Sequence, residues 1–244
     1  MKGVIAGINP EASVIDLTHE IEPQQVMQAA LALADAVGAF PPGTIHVAVV
    51  DPGVGSARRA IAAEIGDQRF VCPDNGLLTF VLQHTPLKRA VELNERRWLR
   101  AAVSNTFHGR DVFAPVAAAW SLGHDLEAFG SGLASPLVEL AIPAVRVQRG
   151  EVRGEVLAVD RFGNLITNVA GRLIPDEAVG IEISIAGQCL AGLHHCFADR
   201  PAGECLALVG STGRVEIAVV NSSAARQLHG GIGDEVAIRW REPG

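Results

Sequence analysis

The chain has 244 residues, of which 48% are hydrophobic and 19% charged, and its formal net charge is −7. This composition excludes a disordered chain, and the length predicts one or two domains with a sizeable core. The acidic balance and the lack of a Lys/Arg cluster argue against nucleic-acid binding. No stretch approaches the ~20 apolar residues that a membrane span needs, so no membrane partner is expected.

The four cysteines indicate the compartment. None stands in a C-x-x-C pair, and the N-terminus, MKGVIAGINPEASVID, lacks the apolar core of a secretory signal. These features predict reduced thiols in the cytoplasm. Four residues form a loose metal-ligand-type cluster, but their spacing fits no trusted zinc pattern, so no metal is predicted: Cys189, His194, His195 and Cys196.

The first part of the chain alternates strand-like and helix-like segments. A short apolar run, 13–17, predicts a strand, and the apolar spacing over 24–40 predicts a helix. The β-branched run 44–50 predicts a strand that is buried on both faces, as in a parallel sheet. Further strands are expected over 60–65 and 69–72, and a helix over 111–122. The fold class predicted here is α/β with a largely parallel sheet.

The second part has a different pattern. From about Val145 it consists of short alternating segments separated by Gly, Asp and Asn. Regular short strands with turn signals predict an all-β barrel or sandwich. We therefore expect an α/β domain over 1–140 and a smaller, barrel-like β domain over 145–244, with the boundary near Pro143.

Polar residues follow three of the predicted strands. Asp16, Asp51 and the pair Asp74-Asn75 stand at these strand ends. Each could be an ordinary turn residue. Three together at the carboxyl edge of a sheet favour a pocket, because ligands of open α/β sheets bind there.

Two segments are dense in functional residue types. In DPGVGSARR, Arg58 lies one short loop from Asp51, close enough for a charge-assisted pair; the G-x-G is too short for a dinucleotide fingerprint. In SNTFHGRD, Asp111 is a plausible helix N-cap. His108 stands on the loop before it, where either a structural or a functional role is open.

Two turns of the second part are also candidates. DRFGN, residues 160–164, could be a simple hairpin turn, or its carboxylate, aromatic ring and carboxamide could bind a purine-bearing cation. GSTGRVE, residues 210–216, could likewise be a turn, with Glu216 in the next strand.

Several motifs in order carry a family resemblance: MKGVI, IDLTHEI, FPPGTIHVAVVDPGVGSARR, PDNGLLT, NTFHGRDVFAPVAA, VDRFGNLITN and GSTGRVEIAVVNSSAA. Over nearly the whole chain they resemble the S-adenosyl-L-methionine (SAM) hydrolase (adenosine-forming) family, also called SAM hydroxide adenosyltransferases, which are related to SAM-dependent chlorinases and fluorinases. The resemblance implies hydrolysis of SAM to adenosine and L-methionine without a cofactor. It also implies a homotrimer with SAM bound between the domains of neighbouring subunits.

The resemblance also implies site residues. The catalytic set falls on Asp51, Arg58 and His108. Substrate contacts fall on Asp51, Asn75, Asp160, Phe162, Asn164, Phe197, Ser211, Glu216 and Val219. Because sulfur leaves SAM as a neutral thioether, the enzyme must chiefly orient a nucleophile in line with C5′. We expect Arg58 and His108 to hold that water or hydroxide, with Asp51 orienting Arg58.

Two alternatives remain at this point. A halogenase would use a small neutral halide pocket, whereas a carboxylate at Asp51 should repel halide. The family pattern also has a strand and a ribose-binding Asp before MKGVI, and this sequence begins at Met1. The resemblance therefore predicts a missing strand, from an internal start, a truncation or a natural short form. A non-catalytic SAM- or adenosine-binding trimer is the corresponding alternative function.

Overall fold

The computed structural model describes residues 1–241 and divides the chain into two units, Met1–Leu140 and a second unit that begins at Ala141. The first unit contains four α-helices: α1 Lys2–Ile8, α2 Val26–Val37, α3 Thr79–His84 and α4 Ala114–Ser121. Its strands are β1 Ile45–Val47, β2 Ala60–Ile65, β3 Gln68–Pro73, β4 Leu87–Glu92 and β5 Ser131–Gly132.

These five strands form one mixed sheet in the order β1-β3-β2-β4-β5. Among the described residues, only β1 and β3 pair in parallel, and the other pairings are antiparallel. The prediction of a largely parallel sheet is therefore not confirmed. The reason is local: β2 and β3 are joined by Gly66 and Asp67 alone, and so short a connection allows only an antiparallel hairpin. Gly66 has a φ of +58°, which suits this turn.

Most predicted elements of this unit are present. The strand over 60–65 is confirmed, and the predicted helix over 24–40 is shorter, as α2, whose Leu33 packs in a core with Ile61 and Phe70. The predicted strand over 13–17 is wrong. Its backbone has no ladder partner among the described residues, and Ile15 is 69% exposed, so the run neither pairs nor buries its apolar side chains.

The helix predicted over 111–122 begins earlier and in two parts. Gly109–Phe113 is a single π-helical turn, and α4 follows it directly. His108 occupies the N-cap position, so the assignment of Asp111 as N-cap is wrong. Asp111 lies inside the first turn, fully buried, and holds the preceding loop instead.

The second unit is a β structure with one short helix. Its strands are β6 Arg146–Gln148, β7 Glu151–Val159, β8 Leu165–Ala170, β9 Val179–Ile185, β10 Gln188–Ala191, β11 Cys205–Val209, β12 Arg214–Val219 and β13 Glu235–Arg241, and its helix is α5 Ala224–Leu228. They form an antiparallel sheet in the order β10-β9-β13-β7-β8-β12-β11, with β6 on β7.

The short alternating segments predicted from about Val145 are present as β7, β8, β9, β11, β12 and β13, and β6, β10 and α5 are additional. Alternate residues of β8 are buried, as expected for a strand with one face on a core. That core is aliphatic and includes Leu165, Ile183 and Ile217. Within the described residues, no helix has the length and apolar character to span a membrane.

Candidate active site

The loop that carries Asp51 follows β1 and makes a tight turn. Val54 N–H donates to the Asp51 carbonyl at 3.2 Å, and the Ser56 hydroxyl donates to the Gly53 carbonyl at 2.6 Å. Gly55 has a φ of +78°, and a Cβ there would lie 2.5 Å from the Asn105 carbonyl oxygen. Glycine at this position therefore lets the Asp51 loop approach the loop that carries His108.

Three polar side chains meet where these loops come together. Arg58 donates from Nε to both carboxylate oxygens of Asp51, at 2.9 and 3.1 Å, and its Nη2 also pairs with Asp51. The same Nη2 lies 2.8 Å from Nδ1 of His108. The Asp51 side chain is 5% exposed and that of Arg58 11%, so this Asp51–Arg58–His108 cluster is largely shielded from solvent.

The protonation state of His108 follows from these contacts. Arg58 carries only donors, so Nδ1 of His108 must accept and the proton of the neutral ring belongs on Nε2. Burial first, and then the positive charge of Arg58, lower the pKa of His108 below its ordinary value, although the Asp51 carboxylate acts in the opposite direction. The cluster therefore favours a neutral imidazole that presents an Nε2–H donor.

Asp111 fixes the loop that carries His108. Its carboxylate accepts from the Ser104 N–H at 2.9 Å and pairs with Arg110 and Arg100. The Arg110 hydrogen bond is the main reason that the pKa of Asp111 lies well below its usual range. A fixed negative charge thus anchors the loop one helical turn from His108.

Sequence reasoning did not identify two further contacts of Arg58. Its guanidinium lies over the Phe113 ring, 5.3 Å from the centroid, and its Nη1 donates to the Arg59 carbonyl at 3.3 Å. The only sequence signal for Phe113 was its place five residues after His108, which a regular helix would not bring to this face. The π-helical turn changes that spacing, and such turns are frequent at functional sites.

A second ion pair adjoins the cluster. Arg59 donates from Nε to Asp74 at 2.8 Å and from Nη1 to the Ser135 hydroxyl and carbonyl at 2.8 and 2.9 Å. The other Asp74 oxygen accepts from Val138 N–H at 2.8 Å. This pair therefore ties the 135–138 segment to the sheet.

Asn75 follows Asp74 directly. Its Nδ2 donates to the Val50 carbonyl at 2.9 Å, beside Asp51. The third predicted strand-end residue, Asp16, is not part of this group. It lies on the surface with Lys2 and His19.

The remaining candidates lie in the second unit. Asp160 and Asn164 close a hairpin turn: the Asp160 carboxylate accepts from the Asn164 N–H and from its Nδ2, both at 2.8 Å. Phe162 at the tip is 78% exposed. Gly163 has a φ of +86°, and a Cβ there would lie 2.0 Å from the Ser223 hydroxyl, so this turn is seated against the start of α5.

The second turn of this unit contains Ser211 and leads into β12. Ser211 is exposed, and Glu216 lies in β12, where its carboxylate packs so closely on Gly210 that a Cβ there would be 1.9 Å from Oε1. Val219 is buried at the end of β12, and Phe197 is 44% exposed on a short 3₁₀ turn. Among the described residues, no group of His, Cys, Asp or Glu has the arrangement of a metal site.

A mixed-sheet unit that carries an Asp–Arg–His cluster, followed by a barrel-like β unit, matches the domain pair of one enzyme family. The family model for the SAM hydroxide adenosyltransferase N-terminal domain matches residues 1–130, and the model for the C-terminal domain of that family matches residues 154–237. The chain belongs to the SAM hydroxide adenosyltransferase family.

Individual relatives agree with this assignment. The chain is 44% identical to an (R)-S-adenosyl-L-methionine hydrolase of Salinispora tropica, over 97% of this chain and 90% of the relative. It is 39% identical to the protein of that name from Thermus thermophilus, over 93% and 88%. A fluorinase of Actinopolyspora mzabensis is 28% identical, over 73% and 69%. A crystal structure of an uncharacterized conserved protein from Thermotoga maritima superimposes with a TM-score of 0.89, at 39% identity over 98% of this chain and 93% of that one.

Proposed function

We propose that this protein hydrolyses S-adenosyl-L-methionine to adenosine and L-methionine. The oxygen of a water-derived nucleophile bonds to C5′ while the C5′–sulfur bond breaks and its electron pair returns to sulfur. The sulfonium leaves as a neutral thioether, so no acid is needed at the leaving group. No cofactor takes part.

One observation carries the proposal: Arg58 Nη2 contacts both Asp51 and His108. Asp51 orients the guanidinium, and Arg58 in turn fixes His108 as the Nε2–H tautomer. A nucleophile beside this pair meets a cation and a neutral N–H donor. Both groups favour an oxygen that bears negative charge.

The same contacts support an assignment of the proton. His108 is not the base in this arrangement, because its Nδ1 accepts from Arg58 and its Nε2 already carries a proton. Both Asp51 oxygens are bound to Arg58. We therefore assign the nucleophile as hydroxide, formed by loss of a proton to solvent and held by Arg58 and His108. Asp51 is also proposed to accept a ribose hydrogen bond.

The substrate-binding role of the other candidates is part of this proposal. The residues that contact SAM are Asp51, Asn75, Asp160, Phe162, Asn164, Phe197, Ser211, Glu216 and Val219. The exposed rings of Phe162 and Phe197 support it, because an aromatic face open to solvent can stack on adenine. The Asp160 carboxylate supplies a negative charge for the methionine amine, and Asn164 holds it in place.

We further propose a cytoplasmic homotrimer whose sites lie between subunits. All four cysteines are free in the described chain, which supports a reducing compartment. Subunit sharing has a direct test: co-expressed His108→Ala and Asn164→Ala subunits form some trimers with intact sites. Activity well above that of either variant alone supports shared sites, and no recovery contradicts them.

The proposed reaction is tested by incubating the protein with SAM in H₂¹⁸O and excess chloride. Adenosine with ¹⁸O at C5′ is the expected product, and His108→Ala should lose most of it. A 5′-chloro product instead identifies a halogenase. Calorimetric binding of SAM without any product identifies a non-catalytic binding protein.

A further inference from the structure

Asn75 lies where the parallel pair of strands ends. Val47 of β1 is in register with Val71 of β3, and Asp51 and Asn75 each stand four residues beyond that pair. Parallel strands deliver such residues to the same edge of a sheet. Asn75 is therefore placed to act on the backbone from which Asp51 projects.

The contact between them is specific. Nδ2 of Asn75 donates to the Val50 carbonyl at 2.9 Å. This carbonyl belongs to the peptide that joins Val50 to Asp51, and a peptide is planar. Because Asn75 holds the oxygen of this peptide, it fixes the orientation of the peptide plane and hence the direction in which the Asp51 side chain projects.

Asn75 itself stands on a rigid turn. Asp74 before it is held by Arg59 and by the Val138 N–H. Gly76 after it has a φ of +98° and packs against Leu140, which a Cβ there would approach to 2.6 Å. The side chain of Asn75 thus has a fixed base from which to hold Val50.

We propose that Asn75 is a positioning residue, which sets Asp51 and, through it, the guanidinium of Arg58. This inference rests on the proposed hydrolase function. It is additional to the substrate contact proposed for Asn75 above, because here Asn75 acts through the Val50 carbonyl and Asp51.

The other end of the side chain allows a sharp test. Oδ1 of Asn75 is buried and has no hydrogen-bond partner among the described residues. An unsatisfied buried acceptor costs stability. Asn75→Leu keeps the branched side-chain shape and removes this acceptor, but it also removes the Nδ2 donor to the Val50 carbonyl. One unsatisfied acceptor replaces another, so we expect little change in the unfolding midpoint.

The expected effect on catalysis is larger. If Asp51 is no longer held, the nucleophile site loses its alignment, and kcat at saturating SAM should fall about 100-fold. Thr167→Val is the matched control: the buried Thr167 hydroxyl donates to the Val215 carbonyl at 2.7 Å and accepts from Val169 N–H at 3.2 Å, without a contact to Val50 or to the turn that carries Asn75. It should lower the unfolding midpoint and leave kcat per folded molecule unchanged.

A second readout does not need turnover. Because Arg58 lowers the pKa of His108 and the Asp51 carboxylate raises it, displacing these two groups in Asn75→Leu should change that pKa, as measured by NMR without substrate, while Thr167→Val leaves it unchanged. A wild-type protein that makes no adenosine from SAM refutes the hydrolase function, and the His108 titration then decides this inference alone. An unchanged His108 pKa, or a kcat that falls only with the folded fraction, overturns it.

Discussion

Arg58 and Arg59 are neighbours in the chain, and each binds a buried aspartate. The Asp51 side chain is 5% exposed and the Asp74 side chain 3%. The difference lies in the remaining donors of each guanidinium. Those of Arg59 go to the 135–138 segment, whereas Nη2 of Arg58 also reaches Nδ1 of His108.

An Arg–Asp ion pair can therefore serve two different purposes. When the donors that are not bound to the aspartate go to backbone and hydroxyl oxygens, as in Arg59, the arginine holds a loop in place, and its removal affects folding. An arginine that reaches a titratable ring controls the charge of that ring. Arg58 and Arg59 are consecutive residues, so a substitution in one ion pair is a matched control for the same substitution in the other.

The largest expected effect is that of Arg58→Lys. Lysine keeps the charge but cannot bridge Asp51 and His108 with a planar fork. We expect kcat to fall by about 10²–10³, the scale of losing one preorganised donor to a charged oxygen in an active site. Steady-state adenosine formation measures it, and turnover within tenfold of wild type would show that the fork is dispensable.

Arg59→Lys is the matched substitution in the structural pair. It loses the hydrogen bonds that join Asp74 to Ser135, so the free energy of unfolding should fall by about 1–3 kcal/mol. Denaturant titration measures this change. Lysine keeps the charge that pairs with Asp74, and Val138 N–H still donates to that carboxylate, so turnover per folded molecule should stay as in wild type. A loss like that of Arg58→Lys would show that the two ion pairs do not differ in function.

Gly55→Ala tests how the two loops meet. A Cβ there would lie 2.5 Å from the Asn105 carbonyl, and the φ of +78° disfavours any other residue. We expect turnover to fall about tenfold, because the Asp51 loop must move away from the His108 loop. Gly43→Ala is the control: its φ is +81° but nothing lies within 4 Å of the added Cβ, so only stability should fall, by about 1 kcal/mol.

The smallest expected effect is on the pH dependence of turnover and stability. Because burial and Arg58 lower the pKa of His108, its neutral form persists at pH values below the ordinary imidazole pKa of about 6.5. The loss of turnover that is due to protonation of His108 should therefore occur below that value. As pH falls, the unfolded chain takes up this proton first, so the stability contributed by neutral His108 is lost between the ordinary pKa and the folded-state pKa.

NMR titration of His108 provides the matched measurement. Arg58→Gln should raise the pKa of His108 because it removes a neighbouring positive charge, whereas Arg59→Lys should leave it unchanged. If both variants leave it unchanged, Arg58 does not control the ring.

Several features were predictable because they depend on local chemistry. The spacing of α2, the β-branched and apolar strands, and the turn-separated strands of the second unit all follow from periodicity. The motif DPGVGSARR placed Arg58 one loop from Asp51, and the structure has that ion pair. These contacts span few residues, so their geometry is limited by the turn itself.

Other features required the folded chain. Alternating apolar runs indicated strands but not which strands pair or in which direction; β4, for example, pairs antiparallel with both β2 and β5. An apolar run such as 13–17 becomes a strand only where a neighbouring strand can pair with it, and it has none among the described residues.

The sequence by itself determined the two-part organisation of the chain, most of its strands and the pairing of Asp51 with Arg58, because all of these are set by neighbours along the chain. The family resemblance grouped Arg58 with His108, but only tertiary structure brings these two residues, fifty apart in the chain, into direct contact. The close approach that Gly55 permits and the π-helical turn at Gly109 make that contact. The first is a relation between distant segments, and the second departs from the regular helix that the local spacing predicts.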